Sequence, residues 1–232
     1  MSIRKIRAIF HKQMKDTFKN KTVLVQFIMF PIITLIMQNA IQVDGMPNNY
    51  FVTLFATMYM GMAPITSMAA ILAEEKEKNT LRVLMMSNVK PIEYLLGVGS
   101  YIWFICMLGV LVFASVGRYQ GDALLYFLAV MTVGVITSML IGAVIGTFSK
   151  TQMMATSITI PVMIIFSFMP MLSMYNEIVR KIARFTYSQQ ISLLMNQTGS
   201  WQIGKESILV MAANIMIAIG LFTYAYRKSG LA

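Results

Sequence analysis

The chain alternates long apolar runs with short polar stretches. Six runs, at 23–41, 51–73, 94–116, 124–148, 153–174 and 204–226, are long enough to predict transmembrane helices. The reason is length: about 20 helical residues cross about 30 Å of hydrocarbon. Pro31 and Pro64 fall inside the first two spans, and Pro161 and Pro170 lie toward the end of the fifth. A proline removes one helical hydrogen bond, which a bundle tolerates where neighbours compensate. Before the spans, Ile3, Ile6, Phe10, Met14 and Phe18 recur every three or four residues, while Arg4, Lys5, Arg7, Lys12, Lys15 and Lys19 fill the other face. That period predicts an amphipathic helix over 1–21 in the membrane interface, with Ser2 as its N-cap; the alternative is a plain basic flank that only sets topology. In span 4, Gly134, Ser138, Gly142 and Gly146 repeat every four residues. They form a smooth face for close helix approach, either within the chain or at a dimer seam.

Between spans 5 and 6, over 175–203, Ile178, Ile182, Phe185, Ile191 and Leu194 alternate with Arg180, Lys181, Arg184, Gln189 and Gln190. The pattern predicts one or two short amphipathic helices on the membrane surface, with a solvated loop as the alternative.

The polar stretch at 74–93 stands apart. It holds Glu74, Glu75, Glu77 and Glu93, four of the nine acidic residues, so it must lie outside the lipid. Glu74 and Lys78 sit at the favourable i, i+4 spacing, which extends span 2 as helix beyond the membrane. Asn79 tolerates a left-handed conformation, so the helix can break there, and Thr80 can N-cap a short second helix over 81–86. Leu81, Leu84 and Met85 make its apolar side. Ser87 and Asn88 end it, and Pro91 forbids its continuation. A short rigid helix on the ends of two spans is a lever; an ordinary loop is the plain alternative.

Composition narrows the class. The 232 residues are 57% hydrophobic and 12% charged, with mean hydropathy +0.68, whereas a soluble domain carries about 25% charge. This is the composition of an integral membrane protein, all α, in one domain over 1–232. The net charge of +10 is no nucleic-acid signal. Fourteen lysines and arginines lie in segments on the side of the N-terminus and five on the other, which places both termini and 74–93 in the cytoplasm and 175–203 outside. Cys106 is the only cysteine, so no disulfide forms within the chain, and His11 is the only histidine. There is no G-x-x-x-x-G-K-[ST] loop, no metal-binding spacing and no carboxylate inside a span beyond Glu206 at the very edge of the last. These absences weaken an intramembrane enzyme and an ion-coupled carrier alike. Any work must be driven from elsewhere.

The run from Ala73 through Glu74-Glu75-Lys76-Glu77-Lys78-Asn79-Thr80-Leu81, then Leu84 and Pro91-Ile92-Glu93-Tyr94-Leu95-Leu96-Gly97, resembles the coupling-helix signature of type-2 ABC exporter permeases. That signature is a charged run, Gly-Thr, leucines, then proline and a small residue before the next span. Asn79 stands where the family commonly has glycine, a mild departure given its left-handed tolerance. The resemblance covers nearly the whole chain. It implies a plasma-membrane protein of bacterial type, acting as a homodimer of six-span permeases. Each copy would dock on a separate cytoplasmic ATPase subunit that binds ATP and Mg. Glu75, Glu77, Thr80, Leu81, Leu84 and Met85 would make the coupling contacts, with the N-terminal helix braced beside them. ATP-driven closure would then tilt spans 1, 2 and 5.

Cargo is read from the 23 methionines. Flexible thioethers suit an adaptable apolar path. Met58, Met62, Phe166 and Met169 are the candidates, for an amphipathic peptide or a lipophilic drug, although methionine also simply fills helix packing. The alternative to an exporter is a non-transport membrane protein such as an immunity or scaffold factor.

Overall fold

The computed structural model describes residues 2–19, 21–41, 49–197 and 203–228, without the side chains of 19 and 21–23. Among these residues it is all helical, with ten helices. They are α1 (Ile3–Lys19), α2 (Lys21–Ala40), α3 (Tyr50–Glu77), α4 (Thr80–Met86), α5 (Pro91–Val116), α6 (Gly121–Phe148), α7 (Gln152–Tyr175), α8 (Glu177–Ala183), α9 (Tyr187–Asn196) and α10 (Lys205–Lys228). Five of them, α3, α5, α6, α7 and α10, are long and apolar enough to cross a membrane. The described apolar part of α2, Leu24–Ala40, is shorter. The chain is a multi-pass membrane protein.

Helix α3 is the centre of the bundle, in contact with α2, α5, α6, α7 and α9. Small residues make that possible. A Cβ at Gly61 would stand 2.9 Å from the α7 backbone at Phe166 and Ser167. Down α6, a Cβ at Gly142 would meet the Ile65 carbonyl at 2.5 Å, and one at Gly146 the Leu72 Cβ at 2.6 Å. The stripe of Gly134, Ser138, Gly142 and Gly146 therefore lies inside this chain, mostly against α3, which runs parallel to α6. The prolines of α2, α3 and α7 sit inside unbroken helices. Around Pro64, the Thr66 hydroxyl lies 2.9 Å from the Met62 carbonyl and 3.1 Å from that of Ala63, either of which it can reach in place of Gln26, and the Ser67 hydroxyl donates to Ala63. Gln26 of α2 is fastened to both, donating to Ser67 at 2.9 Å and accepting from Thr66 at 2.9 Å.

Helix α1 packs on α5, and its buried line is not the apolar stripe expected from its period. Ile9, Gln13 and Thr17 are buried, whereas Ile3 and Phe18 are exposed. Gly97 of α5 admits Ile9 so closely that a Cβ there would stand 2.7 Å from it.

The segment over 175–203 departs furthest from expectation; its residues 198–202 lie outside the described ones. Instead of resting on the surface, it turns back into the bundle. The Tyr187 ring at the start of α9 packs on Phe166, with centroids 4.9 Å apart, well back from the end of α7 at Tyr175. Its hydroxyl is 2.7 Å from Ser138, past the middle of α6. From there α9 climbs: Ile191 lies beside Gly134, and Met195 accepts from Thr57 near the start of α3. The expected polar face is inverted. Gln189 and Gln190 are buried, as are Ile191 and Leu194. Each glutamine carbonyl accepts from a serine on a neighbouring span. Ser173 of α7 donates to Gln189 at 2.8 Å, Ser207 of α10 donates to Gln190 at 2.8 Å, and Gln190 donates to the Arg184 carbonyl at 2.7 Å. A lone sequence period cannot foresee partners of that kind.

Candidate functional site

At the end of the bundle where α3 finishes, its last turn rises past the apolar stretch as Glu74-Glu75-Lys76-Glu77. Lys78 caps it, and Asn79 takes the left-handed conformation (φ 55°) that breaks the helix. Asn88, also left-handed (φ 63°), closes the far side of α4, and Pro91 opens α5 at a position where a missing N–H costs nothing. Thr80 is the first residue of α4, not its N-cap. Its hydroxyl donates to the Glu75 carbonyl at 3.1 Å, an orphan group at the end of α3.

Each charged side chain of the α3 tail has its own partner. The Lys78 ammonium donates to Glu74 at 2.5 Å, and that hydrogen bond with its carboxylate holds the lysine above its ordinary pKa. Glu75 is buried and accepts from Lys12 and Gln13 of α1, each at 2.6 Å. Lys76 reaches the Thr147 carbonyl at 2.5 Å, in the last turn of α6. Glu77 accepts from the Gln152 amide, the first residue of α7, at 2.7 Å. A cation on a helix C-terminus and an anion on a helix N-terminus both match the helix dipole. The tail of α3 thus ties together α1, α6 and α7.

Helix α1 is held from the other side as well. Glu93 accepts from the Ser2 amide at 2.6 Å and from the Lys90 amide at 3.1 Å. Lys5 reaches the Asn88 carbonyl and lies 3.9 Å from Glu93. Tyr101 donates to Thr17. Sequence reading missed Lys12, Gln13, Thr17 and Lys76. For the first three the only signal was a polar residue on α1 away from its apolar stripe, and for Lys76 the charged run at the end of α3.

Helix α4 is two-faced. Leu81 is 2% exposed, and Leu84 and Met85 pack against the same core. Val83 is 61% exposed and Met86 80%, beside an exposed Arg82. Of the residues expected to contact a partner, Leu81, Leu84 and Met85 thus fasten α4 to the spans, Glu75 fastens α1, and Glu77 fastens α7. The outward face belongs to Arg82, Val83 and Met86. Of the candidate cargo residues, Met58 is buried in the bundle core, Met62 and Phe166 pack on that core, and Met169 is half-buried. The structure does not bring these four together on one open surface. Among the described residues, no group of three or more His, Cys, Asp or Glu side chains is placed to hold a metal.

The family model described as ABC-2 family transporter protein matches residues 6–224. No curated protein matches the chain. The chain belongs to the ABC-2 transporter family, whose members include the type-2 ABC permeases it resembles, and it is the membrane subunit of such a transporter.

Proposed function

We propose that this ABC-2 family chain is the permease of an ATP-driven exporter. It receives force through α4 from a separate ATPase subunit and moves amphipathic or hydrophobic cargo, a peptide or a drug, outward. The supporting observation is the division of α4 into a buried face at Leu81 and an exposed apolar tip at Val83 and Met86. A helix fastened on one side with bare apolar side chains on the other, at the aqueous end of two spans, is suited to a groove on a soluble partner. Because α1, α6 and α7 are bound to the same α3 tail, a push on α4 reaches them as one body.

In this reading α2 is the sixth span, the basic ends face the cytoplasm, the whole chain is one permease domain, and two copies form the working unit. ATP and Mg bind the partner, not this chain. The test is to co-express the chain with an ATPase encoded beside it, purify the pair, and replace Val83 and Met86 by Asp. The variant is expected to fold and to lose the ATPase from the purified complex. Full retention of the ATPase by a folded Val83→Asp, Met86→Asp protein sinks the proposal.

A further inference from the structure

A groove of about 610 Å³ runs between α5, α6 and α10. Leu96, Gly99, Trp103, Ile136, Met139 and Phe222 make most of its wall. Two hydroxyls face it in sequence, Ser100 and Thr132, and both are engaged elsewhere. Ser100 donates to the Gly97 carbonyl at 3.0 Å, and Thr132 to the Met107 sulfur at 3.6 Å. What remains is apolar.

The three helices that wall the groove share a second feature. Lys90 precedes α5, Lys150 follows α6, and Arg227 and Lys228 end α10. α5 starts at this end of the bundle and the other two finish there, so all four cations lie at one membrane face. Each is within about two helical turns of a groove-lining residue. The nearest carboxylates are occupied: Glu93 by the Ser2 and Lys90 amides, and Glu77 by the Gln152 amide.

We propose that this groove holds an acyl chain of an anionic membrane lipid, with the headgroup among Lys90, Lys150, Arg227 and Lys228. An apolar slot whose three walls each carry cations at the same membrane face complements a lipid with a negative head. A helix from a second copy would match the slot but leave the cations unanswered. No residue of α4 lines the groove, so the inference stands independently of the exporter reading.

Gly99 supplies the test. A Cβ there would meet nothing within 4 Å, so Gly99→Leu starts its side chain in open space on the groove wall, and leucine favours the helix over glycine. The full chain is purified, with any partner that accompanies it, from nanodiscs of phosphatidylglycerol and phosphatidylcholine with identical tails. Retained lipid is counted by native mass spectrometry. Wild type and Gly99→Ala are expected to keep one lipid per chain that Gly99→Leu lacks at unchanged melting temperature. The joint Lys90→Gln, Lys150→Gln, Arg227→Gln variant is expected to keep a lipid but lose the preference for phosphatidylglycerol. Equal retention by wild type and Gly99→Leu overturns the inference. So does a crosslink from Gly99→Cys to a second copy of the chain.

Discussion

Two short-helix attachments hang on α3, one at each end, and they are fastened by different chemistry. The corner made by α1 and α4 is held by charge: Glu75 with Lys12, Glu93 with the Ser2 amide, Lys76 and Glu77 on the ends of α6 and α7. Inside the bundle the α8–α9 return is held by neutral groups, Tyr187 with Ser138, Gln189 with Ser173 and Gln190 with Ser207, whereas its charge pair to α10, Arg184 with Glu206, is exposed to solvent. The difference follows the access of water. Charge pairs are tolerable where solvent and helix ends share the field, whereas deep in a bundle a neutral hydroxyl or amide pair avoids the cost of desolvating ions. Exposure changes meaning between the two regions as well. Val83 and Met86 are bare where water is expected, whereas the bare Ile178 and Ile182 of α8 lie on a segment returning toward membrane depth.

The largest expected effect tests the two faces of α4 against each other. Leu81→Asp puts a carboxylate into an enclosed apolar site with nothing to pair it, where the charged form costs several kcal/mol. It is expected to abolish the monodisperse detergent-solubilised protein in fluorescence-detected size exclusion. Met86→Asp, one helix face away, is expected to leave the peak unchanged. If both variants behave alike, the two-faced description of α4 fails.

How far each region is legible in the sequence follows from what fastens it. The α4 corner is largely local: an i, i+4 pair, two asparagines and a proline within 74–93 set the break, the short helix and the restart, and all can be read in order. Thr80 sits one place inside the helix rather than at its cap, and Leu81, Leu84 and Met85 pack on the chain's own core, which no local pattern can tell, because an apolar face looks the same whether it meets a partner or its own spans. The α9 contacts are not local at all. Gln189 and Gln190 look like surface residues until Ser173 and Ser207 are placed beside them, and no period along 175–203 carries that information. Likewise, the buried line of α1 is set by Gly97 and Glu75, residues more than sixty positions away.

Next in size is the tether on α1. Glu75→Ala leaves the Lys12 and Gln13 donors without their acceptor at a buried site, a loss of about 1–3 kcal/mol. Hydrogen exchange across 3–19 is expected to quicken strongly while that across 187–196 is unchanged. If both regions loosen together, the two ends are one cooperative unit and the contrast between them is lost. Smaller again is Tyr187→Phe, which removes one buried interhelical hydrogen bond. Such bonds between membrane helices contribute on average about 0.6 kcal/mol. A melting temperature lowered slightly, with faster exchange confined to α9, is the expected result.

The smallest effect is expected one residue from a large one. Glu74 and Glu75 are neighbours in sequence and both bind a lysine, yet the Glu74–Lys78 pair is exposed to solvent whereas Glu75 is enclosed. In water an exposed pair gains little over its separated ions. Glu74 raises the Lys78 pKa above the ordinary lysine range. The stabilisation from that shift is therefore fully present below the unfolded lysine pKa and lost only as pH rises through the folded one, well above neutrality. At pH 7 Glu74→Gln is expected to leave both the melting temperature and the exchange of α1 within replicate scatter, and raising salt is expected to change neither. An effect as large as that of Glu75→Ala would mean that the whole charged run acts as one network, and that burial does not decide which of two adjacent carboxylates holds the corner together.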